Sequence, residues 1–127
     1  MIKNVIKKET EILDNDPSKV FIGGFSQGGA LSLYIVHTLE EMLGGVLVVG
    51  GLVSKVAKLP VHDELPPIRI IHGLKDKIKT WDEAKESFGS LLDRRNTKVI
   101  LIEDMKHDMN HEETKKEMYN FLRERTQ

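Results

Sequence analysis

Ser26 lies in Gly23-Gly24-Phe25-Ser26-Gln27-Gly28-Gly29-Ala30, directly after the apolar run Val20-Phe21-Ile22. This is a G-x-S-x-G pattern at the end of an expected strand and the start of an expected helix, the setting of a nucleophile elbow. A serine there sits on a tight turn with its hydroxyl held clear of the backbone, and the flanking glycines let strand and helix pack closely. The backbone N–H of Gln27, next after the serine, is positioned to donate to an oxyanion. A serine hydroxyl is a weak nucleophile until a base takes its proton, and the base needs a carboxylate to hold its tautomer. His107, in Glu103-Asp104-Met105-Lys106-His107, and Asp76, in His72-Gly73-Leu74-Lys75-Asp76, both follow expected strands. That is where such groups belong on a parallel sheet.

The pattern around Ser26 arises by chance in about 4% of chains of this length at ordinary Gly and Ser frequencies. The alternative is therefore a glycine-rich turn with an incidental serine. The apolar strand before it and the helix after it, apolar on most faces through Ala30-Leu31-Ser32-Leu33-Tyr34-Ile35-Val36, argue for the elbow. Asp104 competes with Asp76 as the acid, but three residues before the histidine it is the poorer partner. His111 is expected in or at the cap of the last helix and on the surface. His72 is expected to pack or hydrogen-bond in its loop, and His37 and His62 to be structural or solvated. His107-Asp108-Met109-Asn110-His111 also spaces two histidines at i and i+4, with Asp108 where a metalloprotease has Glu. Its first histidine follows a strand rather than lying on a helix, so zinc is disfavoured and no metal is expected.

These groups need a scaffold. The 127 residues, 31% charged and 39% hydrophobic, fit one globular domain over 1–127. A net charge of −1 implies no nucleic-acid partner, and the absence of cysteine excludes disulfides and a thiol nucleophile. The N-terminus lacks the shape of a signal peptide, and no window is long and apolar enough to span a membrane, so a cytoplasmic location is expected.

Ile2, Val5, Ile6, Ile12 and Leu13 share one helical face, which predicts a helix over 2–14, broken by Asp16-Pro17-Ser18. A strand is expected at 19–24, then a helix to about Leu43 that stops at Gly44-Gly45. Val46–Val49 is a buried strand, 50–66 a loop with Pro60 and Pro66, and Ile68–Ile71 a third strand. Thr80-Trp81-Asp82-Glu83 is a capping box opening a helix with the stripe Trp81, Ala84, Phe88, Leu91 and Leu92. Lys98–Ile102 is a fourth strand. The last helix is expected from an Asn110 cap, with Met118, Phe121 and Leu122 facing inward. Strands alternating with helices predict an α/β fold: a mainly parallel sheet of about four strands with helices on both faces.

The segment Gly23 to Tyr34, with His72-Gly73-x-x-Asp76 and Met105-Lys106-His107, resembles the acyl-protein thioesterase and carboxylesterase branch of the α/β-hydrolase superfamily. The chain order Ser26, Asp76, His107 is the order of that fold. The resemblance implies that Ser26 is the nucleophile, Asp76 the acid and His107 the general base, with no cofactor. It also implies cleavage of acyl esters or thioesters, of acylated proteins, lysophospholipids or small esters. Leu74 and Lys77 depart from the family's H-G-D-x-D-P loop, and Asp104 stands where a glycine often precedes the Met. The match covers only the C-terminal part of the family's fold. It lacks the earlier strands and an H-G-x-G-D loop that supplies a second oxyanion donor.

Two functions are consistent with these residues. One is a serine hydrolase of esters or thioesters. The other is a truncated, catalytically impaired homologue that acts as a binding or interaction module or needs a partner chain. On either, one side of the 19–24 strand is bare and is expected to associate with itself or with another chain.

Overall fold

Four apolar runs pair into one parallel sheet, and the sheet order repeats the chain order: β1 (Phe21–Phe25), β2 (Gly45–Val49), β3 (Ile68–Gly73) and β4 (Thr97–Ile102). The computed structural model describes residues 2–53, 64–108 and 110–126. The expectations for Pro60, His62 and Met109 lie outside these residues. The helices are α1 (Ile2–Ile12), α2 (Gln27–Thr38), α3 (Trp81–Phe88) and α4 (Glu112–Thr126). None among the described residues is long and apolar enough to cross a membrane.

Strand alternation sends side chains to two faces. Val46, Val48, Ile68 and Ile70 pack with Ile6 of α1, Leu33 and Val36 of α2, and Ala84 and Phe88 of α3. On the other face Val49, Ile71, Ile102 and Met105 pack with Phe25, Leu47 and Met118 of α4. β3 is buried along its whole length because helices cover both of its sides. It even buries Arg69, whose guanidinium lies over the Phe121 ring at 4.8 Å and reaches Glu124 at 2.9 Å. This pair of contacts fastens α4 to the sheet.

The strands and helices expected from the sequence are present, with shifted ends. β1 begins at Phe21 rather than at 19, because Pro17–Lys19 forms a short 3₁₀ turn. Asp16 caps it, accepting from the Ser18 hydroxyl at 2.6 Å and the Ser18 N–H at 3.0 Å. These bonds hold the Asp16 carboxyl below its ordinary range. α1 stops at Ile12, two residues early, and Asp14 and Asn15 take left-handed backbone. α2 ends at Thr38, not near Leu43. Leu39 turns extended, so Leu39 and Leu43 both reach the core, and Glu40 and Glu41 fall outside a helix C-terminus that would repel them. Left-handed Gly89 ends α3, and Leu91 and Leu92 ride on a following 3₁₀ turn, Gly89–Asp93. Leu122, expected inward, is 42% exposed.

That exposure belongs to one place. β1 is hydrogen-bonded to β2 and to no other described strand. On the α4 face Phe21, Ile22, Gly23 and Gly24 of β1, Leu47 of β2, and Met118, Phe121 and Leu122 of α4 line an apolar cleft of about 220 Å³. Leu122 faces this open cleft, whereas Phe121, one residue earlier, is 1% exposed against the sheet.

Leu33 has no exposed surface and sits between α2 and the sheet. Leu33→Ala should lower unfolding free energy by about 2–5 kcal/mol, because the surrounding helix and sheet cannot collapse into the gap. Urea denaturation followed by circular dichroism measures this.

Candidate active site

The parallel sheet brings the carboxyl ends of β1, β3 and β4 to one edge, and each delivers one polar side chain there. Ser26 follows β1 directly. Its backbone is at φ 56°, ψ −117°, a strained conformation for a residue with a side chain. The strain is held from both sides. The Ser26 N–H donates to Val49 O at 2.8 Å, and the Ser26 carbonyl accepts from Gly29 N–H at 3.1 Å as α2 begins. Gly24 permits the sharp reversal, since a Cβ there would lie 2.3 Å from the Gly28 carbonyl carbon.

Asp76 follows β3 in a tight loop and is only 4% exposed. Its Oδ1 accepts from the backbone N–H groups of Ile78 at 3.0 Å and Lys79 at 2.8 Å. Its Oδ2 accepts from Nδ1–H of His107 at 2.6 Å. A buried carboxylate requires such donors. With Nδ1 carrying the hydrogen, Nε2 of His107 is the acceptor, and the Ser26 hydroxyl lies 3.1 Å from it. Ser26, His107 and Asp76 therefore form one hydrogen-bonded chain across three strand ends.

Two contacts orient His107. Phe25 lies beside its ring at 4.7 Å between centroids. The loop that carries His107 is seated on the loop that carries Asp76, with Lys75 N–H donating to Met105 O at 3.0 Å. Met105 is fully buried and accepts a hydrogen bond at its sulfur from Thr114. Gly73 makes this seating possible, because a Cβ there would lie 2.1 Å from Met105 O.

The oxyanion candidate is the backbone N–H of Gln27. It opens α2, so it has no acceptor within the helix and stands at the positive end of the helix dipole.

The other titratable candidates go elsewhere. Asp104 is exposed and pairs with Nε2 of His111 at 3.0 Å, not with His107. His111 precedes α4 and its Nδ1 accepts from Glu113 N–H, so it caps the helix where Asn110 was expected to. Among the described residues no group of three or more His, Asp and Glu side chains is arranged to hold a metal. His37 is buried and bonds back to Leu33 O at 2.7 Å. His72 is fully buried, with Nε2 2.6 Å from Lys79 O. Sequence reasoning missed Phe25 and Met105 as supports of the histidine. The aromatic before the serine and the Gly73 position were the available signals.

The sequence profile of the phospholipase/carboxylesterase family matches residues 1–125. Acyl-protein thioesterase 1 homolog 1 of Dictyostelium discoideum is 32% identical over 117 residues, which cover 89% of this chain and 52% of that protein. Acyl-protein thioesterase 1 of Debaryomyces hansenii is 31% identical over 133 residues, with 95% and 54% covered. The crystal structure of Arabidopsis thaliana SOBER1 superposes with a TM-score of 0.73 at 25% identity, over 99% of this chain and 65% of that one. The chain thus spans about half the length of the curated relatives it matches.

Gly73→Ala should push the Met105 carbonyl away and unseat the His107 loop, lowering stability by about 1–3 kcal/mol through overpacking. Hydrogen exchange should report a larger acceleration at the Lys75 amide, whose bond to Met105 O would break, than at the amides of β1 and β2.

Proposed function

This chain belongs to the phospholipase/carboxylesterase family, and on that premise we propose that it carries the nucleophile, base and acid of a serine hydrolase acting on carboxylic esters or thioesters. The observation that carries the reading is the hydrogen-bonded chain from Ser26 through His107 to Asp76, with both links at 3.1 Å or less. In this reading His107 Nε2 takes the Ser26 proton as Oγ attacks the acyl carbon. Asp76 holds the imidazole in the required tautomer and stabilises the imidazolium that forms. The carbonyl oxygen of the substrate becomes an oxyanion and accepts from the Gln27 N–H. His107 then returns its proton to the leaving alcohol or thiol, and an acyl-Ser26 ester remains. Water, deprotonated by His107, attacks that ester and releases the carboxylic acid. No step needs a cofactor or metal.

Acylated proteins, lysophospholipids and small esters are the proposed substrates. The relatives named acyl-protein thioesterase and the family description support an acyl substrate. The side of β1 that pairs with no described strand, and relatives about twice as long, favour a second element in the reading. Full turnover draws on chain beyond these residues, which would pair with β1 and supply a second oxyanion donor. A second donor of this kind contributes about 10²–10³-fold to turnover.

A fluorophosphonate probe should label the folded chain at Ser26, read by intact mass and peptide mapping. Ser26→Ala should abolish labelling. Asp76→Asn should slow it on the order of 10⁴-fold, because His107 then adopts the wrong tautomer. Folded wild-type protein that resists the probe as well as Ser26→Ala does would sink the hydrolase reading for these residues.

A further inference from the structure

His72 sits at the end of β3 with no exposed surface, four residues before Asp76, and neither attacks nor transfers a proton in the reaction above. Its Nε2 lies 2.6 Å from the Lys79 carbonyl. A carbonyl only accepts, so Nε2 carries the hydrogen. Its Nδ1 is buried and has no hydrogen-bond partner among the described residues. An unpartnered buried nitrogen is unfavourable, and an apolar ring of similar size would remove it. The imidazole is therefore explained by its one bond rather than by packing.

That bond acts on the acid. Residue 79 is held at both of its backbone polar groups: its carbonyl by His72, and its N–H by Asp76 Oδ1 at 2.8 Å. The Asp76 carboxylate is thereby turned so that Oδ1 takes the two loop N–H groups and Oδ2 is left for His107. A carboxylate rotates easily about its last torsion, so its orientation comes from its partners. The Lys79 carbonyl also keeps the His72 N–H occupied. Without it, the His72 Nε2 has an acceptor 3.9 Å away in Asp76 Oδ2, the oxygen that serves His107. Trp81, at the start of α3, flanks the His72 ring at 5.5 Å and keeps it in place.

We propose that His72 is a positioning residue, which sets the orientation of the Asp76 carboxylate through the Lys79 peptide. The role rests on the hydrolase reading only for its effect on rate. The orientation itself can be read without turnover, from the low-field proton resonance of His107 Nδ1–H bonded to Asp76.

His72→Phe keeps a ring against Trp81 and removes the donor. His72→Gln returns an N–H near the position of Nε2. The folded Phe variant should lose the His107 low-field resonance and react with the fluorophosphonate probe at least tenfold more slowly. The Gln variant should recover both. If the Phe variant keeps the resonance and the rate, or if Gln restores neither, the proposal is overturned. Should His72→Phe fail to fold, His72→Met compared with His72→Gln gives the same contrast. A wild-type protein that shows the resonance but resists the probe would sink the hydrolase reading while leaving the positioning role testable by the resonance alone.

Discussion

A carboxylate buried to 4% exposure governs the working edge of this sheet. Asp76 would be strongly unfavourable there without donors, and it has them on each oxygen: two backbone N–H groups on Oδ1 and the His107 imidazole on Oδ2. Satisfying one charge thus fixes the loop after β3, the tautomer of a histidine on the next loop, and the nitrogen that faces Ser26. The electrostatic need of the acid and the geometric need of the nucleophile are met by the same bonds.

The sheet makes that arrangement repeatable. Parallel strands put all their carboxyl ends on one side, and the register pairs Phe25 with Val49, Val49 with Ile71, and Gly73 with Ile102. Side chains far apart in sequence therefore start from neighbouring strand ends. Small residues then close the remaining gaps. Gly24 admits the turn into α2, and Gly73 admits Met105, so the serine and the histidine are each brought in by the absence of a Cβ elsewhere.

The opposite demand appears at the free side of β1. A strand this apolar, bounded by an open cleft that Leu122 and Met118 help to line, has the composition of an interior strand. The relatives that the chain matches are about twice as long. The inner strand β3 is finished: both of its faces are covered, and even Arg69 finds Phe121 and Glu124.

The sequence by itself determined the strands, the parallel α/β class and the family resemblance, and it offered Ser26, Asp76 and His107 as candidates, with Asp104 competing for the place of the acid. Each left a local signal: an apolar run, a glycine pair around a serine, a polar residue just after a strand. Element ends were less legible, because they depend on partners outside the local pattern. Leu39 leaves its helix to reach a core that only the sheet creates. His111 displaces Asn110 as the cap because Asp104, seven residues earlier, receives its other nitrogen. Leu122 continues a helical stripe, but whether that stripe is covered depends on what lies beside β1. Only the tertiary structure decided between Asp76 and Asp104, since both follow strands and the choice rests on a 2.6 Å contact made across thirty-one residues. It also gave His72 and Phe25 their places around the acid and the base. Hydrogen bonds and ring contacts between loops are set by the register of the strands that carry them, and that register is a property of the whole packed sheet.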